Sequence, residues 1–261
     1  MGRSRLNIGR RTLLIGGGAG VGLVVAFLAW PRREGSPLRP GPRDGVFGPY
    51  LRIAIDGRVT LAVPQTEVGQ GIWTGLAQIA ADELGAAWEN MAVEPAPHAP
   101  VYANRLIASE YRVTTRITAG ASSIRAFETP IREAAAVARA MLCAAGAARW
   151  GVSAAECDSD GGFVVHEGKR LGFGEVSVDA AGLRLPDTPV LRAPGVGKLA
   201  GEPLPRLDLG PKSDGSFRFA GDVRLPRMVF ASVRLAPPGG QLEGYSRDAA
   251  RRQTGLIELV E

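Results

Sequence analysis

A strand, turn, strand, loop and helix follow one another in a pattern that constrains the fold more than any other part of the sequence. Apolar and polar residues alternate over Tyr50–Ile55 and again over Arg58–Val63, with Asp56-Gly57 between them, which predicts a β-hairpin. Apolar residues then recur with helical spacing over Ile72–Leu84, and Gly85 ends the predicted helix.

Further strands and helices are predicted along the chain. They are predicted as a strand at Met91–Glu94, a long helix that opens after Thr118–Ser123, a hairpin of Phe163–His166 with Arg170–Phe173, and a helix at Glu175–Ala181. Residues Arg132–Trp150 of the long helix are alanine-rich, so that helix is expected to be buried. Because strands and helices are mixed from residue 48 to residue 185, the expected fold class is α+β.

The last part of the sequence changes character. Residues 186–211 hold six prolines and little periodicity, which predicts either a linker or a strap lying on a surface. Beyond them we predict strands at Ser216–Asp222, Met228–Leu235 and Leu256–Val260, and a helix at Arg247–Arg252.

Charge is distributed very unevenly. The net charge of +5 arises in residues 1–44, which contain eight arginines and only two acidic residues. The remaining 23 basic and 24 acidic groups nearly cancel. A nucleic-acid partner is therefore not expected. Two cysteines and two histidines show no metal-ligand spacing. A disulfide between Cys143 and Cys157 remains an alternative to Cys143 being a small buried residue.

The first thirty residues are typical of a targeting segment. Arg10-Arg11 precedes the uncharged run Thr12–Trp30, which is long enough to cross a bilayer as a helix. Residues 1–30 are therefore expected to form a twin-arginine-type signal or a membrane anchor, with an ordinary signal anchor as the alternative. The expected location is the periplasm or the periplasmic side of the inner membrane. The proline- and glycine-rich residues 31–46 are predicted to be a linker.

Two glycine-containing loops each lead into a predicted helix. In Thr66–Thr74, Gln70 lies between Gly69 and Gly71, so the backbone can approach a bulky ligand while the amide offers a donor and an acceptor. The free N–H groups of the following helix favour an anion such as phosphate. Thr118–Ser123 repeats this design with small and hydroxyl residues. Facing one cleft, the loops would hold a large phosphate-bearing cofactor; the alternative is two ordinary capped turns.

The order of these motifs resembles a known family. TEVGQGIWTGLAQIAADELGA, from Thr66 onwards, resembles the molybdopterin-contacting segment of the xanthine dehydrogenase and aldehyde oxidase family, whose pattern is E-M-G-Q-G before a helix. TAGASSIR, AARWGVSAAEC and GEPLPRLDLGPKSDGSFRFAGDVRLPRMVFASV follow in the order typical of the isoquinoline 1-oxidoreductase beta-subunit type. The resemblance extends from about residue 47 to residue 261.

The resemblance implies cofactor contacts in two triplets. These are Gly69, Gln70 and Gly71 in the first loop and Ala121, Ser122 and Ser123 in the second. Val68 stands where the family usually has methionine, a mild apolar change. Ala121 stands where a hydroxyl residue is more usual, which would remove one hydrogen bond worth on the order of 1 kcal/mol.

The resemblance also implies an architecture and a set of partners. Residues 47–185 would form an α+β molybdopterin-binding region and residues 212–261 the start of an α/β hammerhead domain. The cofactor would be molybdopterin of the molybdenum cytosine dinucleotide type. Electrons would pass to a 2Fe–2S small subunit, with a cytochrome c as a further acceptor.

The catalytic base of that family is not expected in this chain. In the family a glutamate in a G-x-G-E context near the C-terminus fills this role, whereas Gly195–Lys198 reads G-V-G-K at a different place in the order. No catalytic residue is therefore assigned. We expect a truncated or split part of a molybdenum hydroxylase subunit that oxidises aldehydes or N-heterocycles. The alternative is a non-catalytic, membrane-anchored remnant that no longer binds cofactor.

Overall fold

The computed structural model describes residues 36–111, 116–184 and 189–245, together with residues 248, 252 and 254–259. The chain divides into two compact units at Ser216, of which the first contains both glycine loops. The two units are described separately.

A four-stranded sheet lies at the centre of the first unit. Its strands, in spatial order, are β1 (Gly45–Phe47), β2 (Leu51–Ile53), β3 (Val59–Val63) and β4 (Met91–Pro95). β1, β2 and β3 are antiparallel neighbours, whereas β4 runs parallel to β3. The predicted hairpin is confirmed. All five residues of β3 are buried, as expected for an inner strand covered on both faces.

The helices of this unit include α1 (Ile72–Leu84), α2 (Arg105–Tyr111), α3 (Ser123–Trp150) and α4 (Phe173–Ala181). Of these, α1, α3 and α4 pack against the sheet. α1 connects the parallel strands β3 and β4 and packs against α3. The predicted helix Ile72–Leu84 is confirmed, and Gly85 ends it with a left-handed φ of 75°.

Helix α3 begins at Ser123, where the second glycine loop was predicted to open a long helix, and Arg132–Trp150 is its alanine-rich part. Pro130 lies inside it, although an interior proline costs a helix about 3 kcal/mol. Phe127 and Ile131 are buried on either side of this proline, so tertiary packing outweighs the local preference. Both cysteines are free, and Cys143 is buried as expected.

A second, three-stranded sheet contains β5 (Asp158–Asp160), β6 (Phe163–His166) and β7 (Lys169–Gly172). The predicted β6–β7 hairpin is confirmed. β5 was not predicted, because its sequence Asp-Ser-Asp has little strand propensity. The hydroxyl of Ser159 donates to the carbonyl of Leu84 at 2.6 Å and so ties this strand to the end of α1.

Residues 189–208, which we call the strap, have no regular secondary structure and run along α1. The strap contacts α1 at three levels. The backbone N–H of Arg192 donates to Glu83 at 2.8 Å, Gln78 donates to the carbonyl of Leu199 at 2.6 Å, and the N–H of Leu207 donates to Thr74 at 3.2 Å. After the strap comes the short helix α5 (Leu209–Asp214).

The hammerhead part of the fold prediction is wrong. Where residues 217–261 are described, they contain a 3₁₀ turn at Ala220–Asp222 and no strand. The predicted strands at Ser216–Asp222, Met228–Leu235 and Leu256–Val260 are therefore not found in the described positions. A strand needs hydrogen-bonding neighbours, and Val233 in this stretch is 78% exposed. The predicted helix Arg247–Arg252 lies almost wholly outside the described residues.

The membrane-length helix in the fold prediction is not supported either. Among the residues with a described structure, no helix combines the length and apolar character needed to span a bilayer. The predicted segment, residues 1–30, lies outside the described ranges.

The buried carboxyl group of Glu133 in α3 predicts a pH-dependent stability. Glu133 is 3% exposed, and its Oε1 has no hydrogen-bond partner in the described structure. Burial raises the pKa of Glu133 above its ordinary value. Its contribution to stability is therefore fully present below about pH 4 and is lost as the pH rises through the raised folded-state pKa.

The substitution Glu133→Gln removes this ionisation. At about pH 8 we expect the variant to be more stable than the native protein by about 1–2 kcal/mol, with the difference shrinking as the pH falls towards 4. Thermal unfolding across this pH range measures the effect. Glu128→Gln is the matched control, because Glu128 is exposed on the same helix. A stability difference that does not change with pH would contradict this account.

Candidate functional site

The carboxylate of Glu67 organises the loop between β3 and α1, residues 64–71, which we call the first loop. Glu67 Oε1 accepts the N–H groups of Gly69 at 2.8 Å and Gly71 at 3.0 Å, and Oε2 accepts that of Trp73 at 3.2 Å. The side chain is only 1% exposed. Burial raises the pKa of Glu67, but these three N–H donors outweigh burial and lower it overall.

The beginning of α1 is therefore already occupied by an anion from the protein itself. We expected its free N–H groups to favour a phosphate, but those of Gly71 and Trp73 bind Glu67 instead. A carboxylate at this position also complements the positive end of the helix dipole. Any ligand of the first loop must consequently use other groups.

Gln70 folds back onto its own loop. Its Oε1 accepts the N–H of Val68 at 2.7 Å, and its Nε2 donates to the carbonyl of Thr66 at 2.9 Å. Each amide group can make a further bond, so Gln70 keeps one donor and one acceptor for a ligand. Gly69 has a φ of 106°, and a Cβ built there would meet no atom within 4 Å. The outer face of this glycine is therefore open to approach.

The buried side chain of Asn104 organises the second loop, residues 116–122. Its Nδ2 donates to the carbonyl of Ile117 at 3.0 Å and to the hydroxyl of Ser122 at 2.7 Å. That hydroxyl donates in turn to the carbonyl of Ala119 at 2.6 Å. Ala121 is held at a left-handed φ of 47°. The Ser122 hydroxyl thus makes both of its hydrogen bonds inside the protein, one from Asn104 and one to Ala119, and these bonds fix the shape of the loop.

The beginning of α3 is open, in contrast to that of α1. Its N-cap, Ser122, makes no side-chain cap bond, and the first turn holds no acidic residue. The hydroxyl of Ser123 donates to Gln65 Oε1 at 2.8 Å. The first backbone N–H groups of a helix have no partner inside the helix, so this end of the 28-residue α3 is suited to an anion.

Direct hydrogen bonds join the two loops. The N–H of Thr66 donates to Thr118 Oγ1 at 2.9 Å, beside the Ser123–Gln65 bond described above. The indole N–H of Trp73 donates to the carbonyl of Gln65 at 3.1 Å and supports the same region. The structure therefore brings five of the six predicted contact residues into two adjoining loops and places the sixth, Ser123, at the first position of α3.

A cavity of about 300 Å³ lies where these loops meet the carboxyl ends of the parallel strands β3 and β4. Its lining consists of Val63, Pro64, Gln65, Thr66, Trp73, Pro95, His98 and Arg116. Arg116 supplies positive charge, and its Nη1 donates hydrogen bonds to the carbonyls of Ala96 and Pro97. The carboxyl edge of parallel strands is a common place for ligands.

Sequence reasoning did not identify Asn104, Arg116 or His98 as parts of this site. Nothing in the sequence distinguishes Asn104 from an ordinary loop asparagine, and its role becomes visible only because its side chain is buried in the structure. Arg116 lies only two residues before the predicted loop at Thr118, which was a usable signal. His98 follows the end of β4 and joins the cavity because β4 pairs in parallel with β3.

The chain is similar to several proteins named as oxidoreductases or dehydrogenases. It is 27% identical to the beta chain of isoquinoline 1-oxidoreductase from Brevundimonas diminuta, over 98% of this chain and 37% of that protein. Identity is 24% to a membrane-bound aldehyde dehydrogenase [pyrroloquinoline-quinone] of Gluconacetobacter polyoxogenes, over 99% and 33%. It is 28% to a subunit of nicotinate dehydrogenase from Pseudomonas putida, over 79% and 17%. The chain thus spans between 17% and 37% of these relatives' lengths.

Among solved structures, quinoline 2-oxidoreductase from Pseudomonas putida 86 matches 53% of this chain and 17% of its own, at 23% identity and a TM-score of 0.34. The sequence model of the molybdopterin cofactor-binding domain matches residues 20–196, a range that includes both loops and the cavity between them. The chain therefore belongs to the molybdopterin cofactor-binding domain family.

Proposed function

We propose that the two loops bind a molybdopterin cofactor, and that the chain is part of a molybdenum hydroxylase subunit that oxidises aldehydes or N-heterocycles. The observation that carries this proposal is the pair of hydrogen-bonded loops at the carboxyl edge of β3 and β4, beside a cavity to which they contribute Gln65, Thr66 and Arg116. The names of the similar proteins support the substrate classes, since they include an aldehyde dehydrogenase and dehydrogenases of nitrogen heterocycles.

The residues present fit such a ligand. Gly69, Gln70 and Gly71 would offer an open backbone face and the spare amide donor and acceptor. Residues 121–123 would offer the uncapped N-terminus of α3 to a phosphate group. Arg116 would pair with negative charge in the cavity. When bound, the molybdenum cofactor would supply a redox-active metal, and the residues of this chain would bind and orient it.

We assign no catalytic residue to this chain. Lys198, in the G-V-G-K sequence, pairs with Asp160 at 2.8 Å and lies on the strap. The general base of the proposed reaction would come from elsewhere in the enzyme. The cofactor form in the proposal is the molybdenum cytosine dinucleotide, and mass spectrometry of the nucleotide released by mild acid identifies it.

Partner subunits are part of the proposal. Two of the similar proteins are named as single subunits of their enzymes, which implies assemblies of several chains. We propose a 2Fe–2S small subunit as the immediate electron acceptor, with a cytochrome c beyond it. Co-purification with the tagged chain, followed by iron and sulfide analysis, tests this partner.

Export through the twin-arginine route is a separate proposal. It rests on Arg10-Arg11 followed by an uncharged run. A fusion of residues 1–46 to a reporter that is active only after folded export is expected to reach the periplasm, and replacement of both arginines by lysine is expected to prevent this. Export of the lysine variant would contradict the proposal.

A specific observation favours a second candidate function. The Gln70 amide, the Ser122 hydroxyl and the N-terminus of α1 each make hydrogen bonds inside the protein, so these bonds hold the shape of the loops in the absence of a ligand. The alternative is accordingly a non-catalytic member of the family that no longer binds cofactor.

Metal and pterin analysis separates the two candidates. The full chain, purified from cells that make the cofactor, is expected to contain molybdenum and pterin in a fixed ratio. Gly69→Ala is expected to lower both by about tenfold, because a side chain at a φ of 106° is strained and distorts the loop.

Gly57→Ala is the matched control for that experiment. Gly57 has a φ of 85° in the β2–β3 turn, and a Cβ there also meets no atom within 4 Å. The control therefore adds similar strain outside the site and is expected to retain the cofactor. A native chain without molybdenum or pterin would contradict the proposed function and support the alternative.

A further inference from the structure

The guanidinium group of Arg206, on the strap, contacts the first loop at two points. Its Nη1 donates to the carbonyl of Gly69 at 3.1 Å, and its Nη2 donates to Glu67 Oε1 at 3.3 Å. Arg206 therefore touches both the glycine that precedes Gln70 and the carboxylate that caps α1.

A second carboxylate holds Arg206 in this position. Asp208 binds it in a two-pronged pair, with Nε to Oδ1 at 2.9 Å and Nη2 to Oδ2 at 2.9 Å. The Asp208 side chain is 3% exposed and also contacts Lys212. The hydrogen bonds from Arg206, opposed by burial and reinforced by Lys212, hold the pKa of Asp208 well below its usual range. Asp208 thus stays ionised and keeps the guanidinium oriented.

These contacts matter because Gly69 has no side chain to fix its conformation. A loop glycine samples many backbone angles, and ordering it when a ligand binds costs entropy. Arg206 donates to the Gly69 carbonyl from the strap, while a Cβ built at Gly69 would meet no atom within 4 Å, so the glycine stays open to a ligand. The bond between Leu207 N–H and Thr74 keeps the strap in register with α1, so the guanidinium stays opposite the loop.

We propose that Arg206 is a positioning residue for the cofactor: it fixes the backbone at Gly69 and the carboxylate of Glu67, so that the first loop presents Gln70 in one orientation. This inference rests on the proposed function of the loop. Arg206 itself contacts the loop, and its effect on the ligand passes through Gly69 and Glu67.

Hydrogen exchange in cofactor-free protein tests the positioning role first. In the full chain, Arg206→Ala is expected to accelerate amide exchange in peptides covering residues 66–74 by about tenfold or more, whereas peptides from the interior of α3 keep their native rates. Arg206→Lys retains the charge but not the planar fork, and is expected to restore the native rates only in part. Unchanged exchange in Arg206→Ala would overturn the inference.

Lys198→Ala is the matched control. Lys198 is also a strap cation paired with a carboxylate, Asp160 at 2.8 Å, but it does not contact the first loop. Its substitution is expected to leave exchange in residues 66–74 unchanged. An equal acceleration in this variant would show a general loosening of the strap and would overturn the specific role of Arg206.

Molybdenum and pterin content then connects the positioning to ligand binding. If the native chain carries cofactor, Arg206→Ala is expected to carry about one tenth as much or less, and Arg206→Lys an intermediate amount. Native content in Arg206→Ala would overturn the inference and leave the proposed function standing. A native chain without cofactor would instead overturn the proposed function, whereas the exchange rates would still decide whether Arg206 orders the loop.

Discussion

Replacing Glu83 with alanine is expected to lower the free energy of unfolding by about 3–5 kcal/mol, the largest stability loss we predict. Glu83 is 1% exposed and lies where α1, α3 and the strap meet. Its carboxylate accepts bonds from Arg132 at 2.9 Å and 3.0 Å, forms an ion pair with Arg139 at 3.1 Å, and accepts the N–H of Arg192 at 2.8 Å. Removing it leaves two buried or half-buried arginines without their anion.

Chemical denaturation of the full chain, followed by tryptophan fluorescence, measures this loss. Glu89→Ala is the control, because Glu89 is exposed shortly after α1 ends. The control is expected to change stability by less than about 0.5 kcal/mol. If Glu83→Ala also cost less than about 1 kcal/mol, the cluster would not hold the strap to the helices as described.

Replacing Glu67 with alanine is expected to have the largest effect on the site. Three backbone N–H groups, those of Gly69, Gly71 and Trp73, lose their acceptor together, and Arg206 loses one of its partners. We expect cofactor content to fall by more than about tenfold, with a smaller loss of stability of about 1–2 kcal/mol, as for other helix caps. Metal analysis and thermal unfolding measure the two effects separately.

Acidification of the native protein is expected to weaken the first loop in the same way as Glu67→Ala, because protonation removes the negative charge of Glu67. Because the folded-state pKa of Glu67 is lowered, its stabilising contribution is present above the unfolded-state value, near 4, and is lost as the pH falls through the folded-state pKa. Exchange in residues 66–74 is therefore expected to be slow at neutral pH relative to its intrinsic rate and to lose this protection in acid. Glu67→Ala that retained both cofactor and slow exchange would show that another group shapes the loop.

Local patterns were sufficient for the elements that form locally. The β2–β3 hairpin follows from alternation around Asp56-Gly57, and the bounds of α1 follow from helical periodicity and Gly85. Both depend on residues close together in the sequence. The beginning of α3 follows in the same way from the small and hydroxyl residues of Thr118–Ser123, although Pro130 in its interior is accommodated only because Phe127 and Ile131 are buried.

The site depended on contacts that no local pattern contains. Thr66 and Thr118 are 52 residues apart and meet because β4 pairs in parallel with β3 and brings the second loop beside the first. Glu67 was recognised as a letter of the family motif, but its bond to the N–H of Gly71, four residues later, reversed the expectation that the beginning of α1 would be open. The open helix end proved to be that of α3.

Beyond Ser216 a local pattern predicted strands that the described structure does not contain. Alternation over Met228–Leu235 records a preference for extended structure, but a preference becomes a strand only when a neighbouring strand supplies hydrogen bonds. Val229, Val233 and Leu235 are each more than half exposed, so no packing in the described part of this unit supports that preference.

Hydrogen exchange with and without bound molybdopterin tests the central claim most directly, namely that both loops form one wall of the cofactor site. We expect the cofactor to slow exchange in two separate stretches, residues 66–74 and residues 119–126, while peptides from β6 and β7 remain unchanged. Residues 119–126 include the open N-terminus of α3. Protection confined to one loop, or absent from both in cofactor-loaded protein, would contradict the claim.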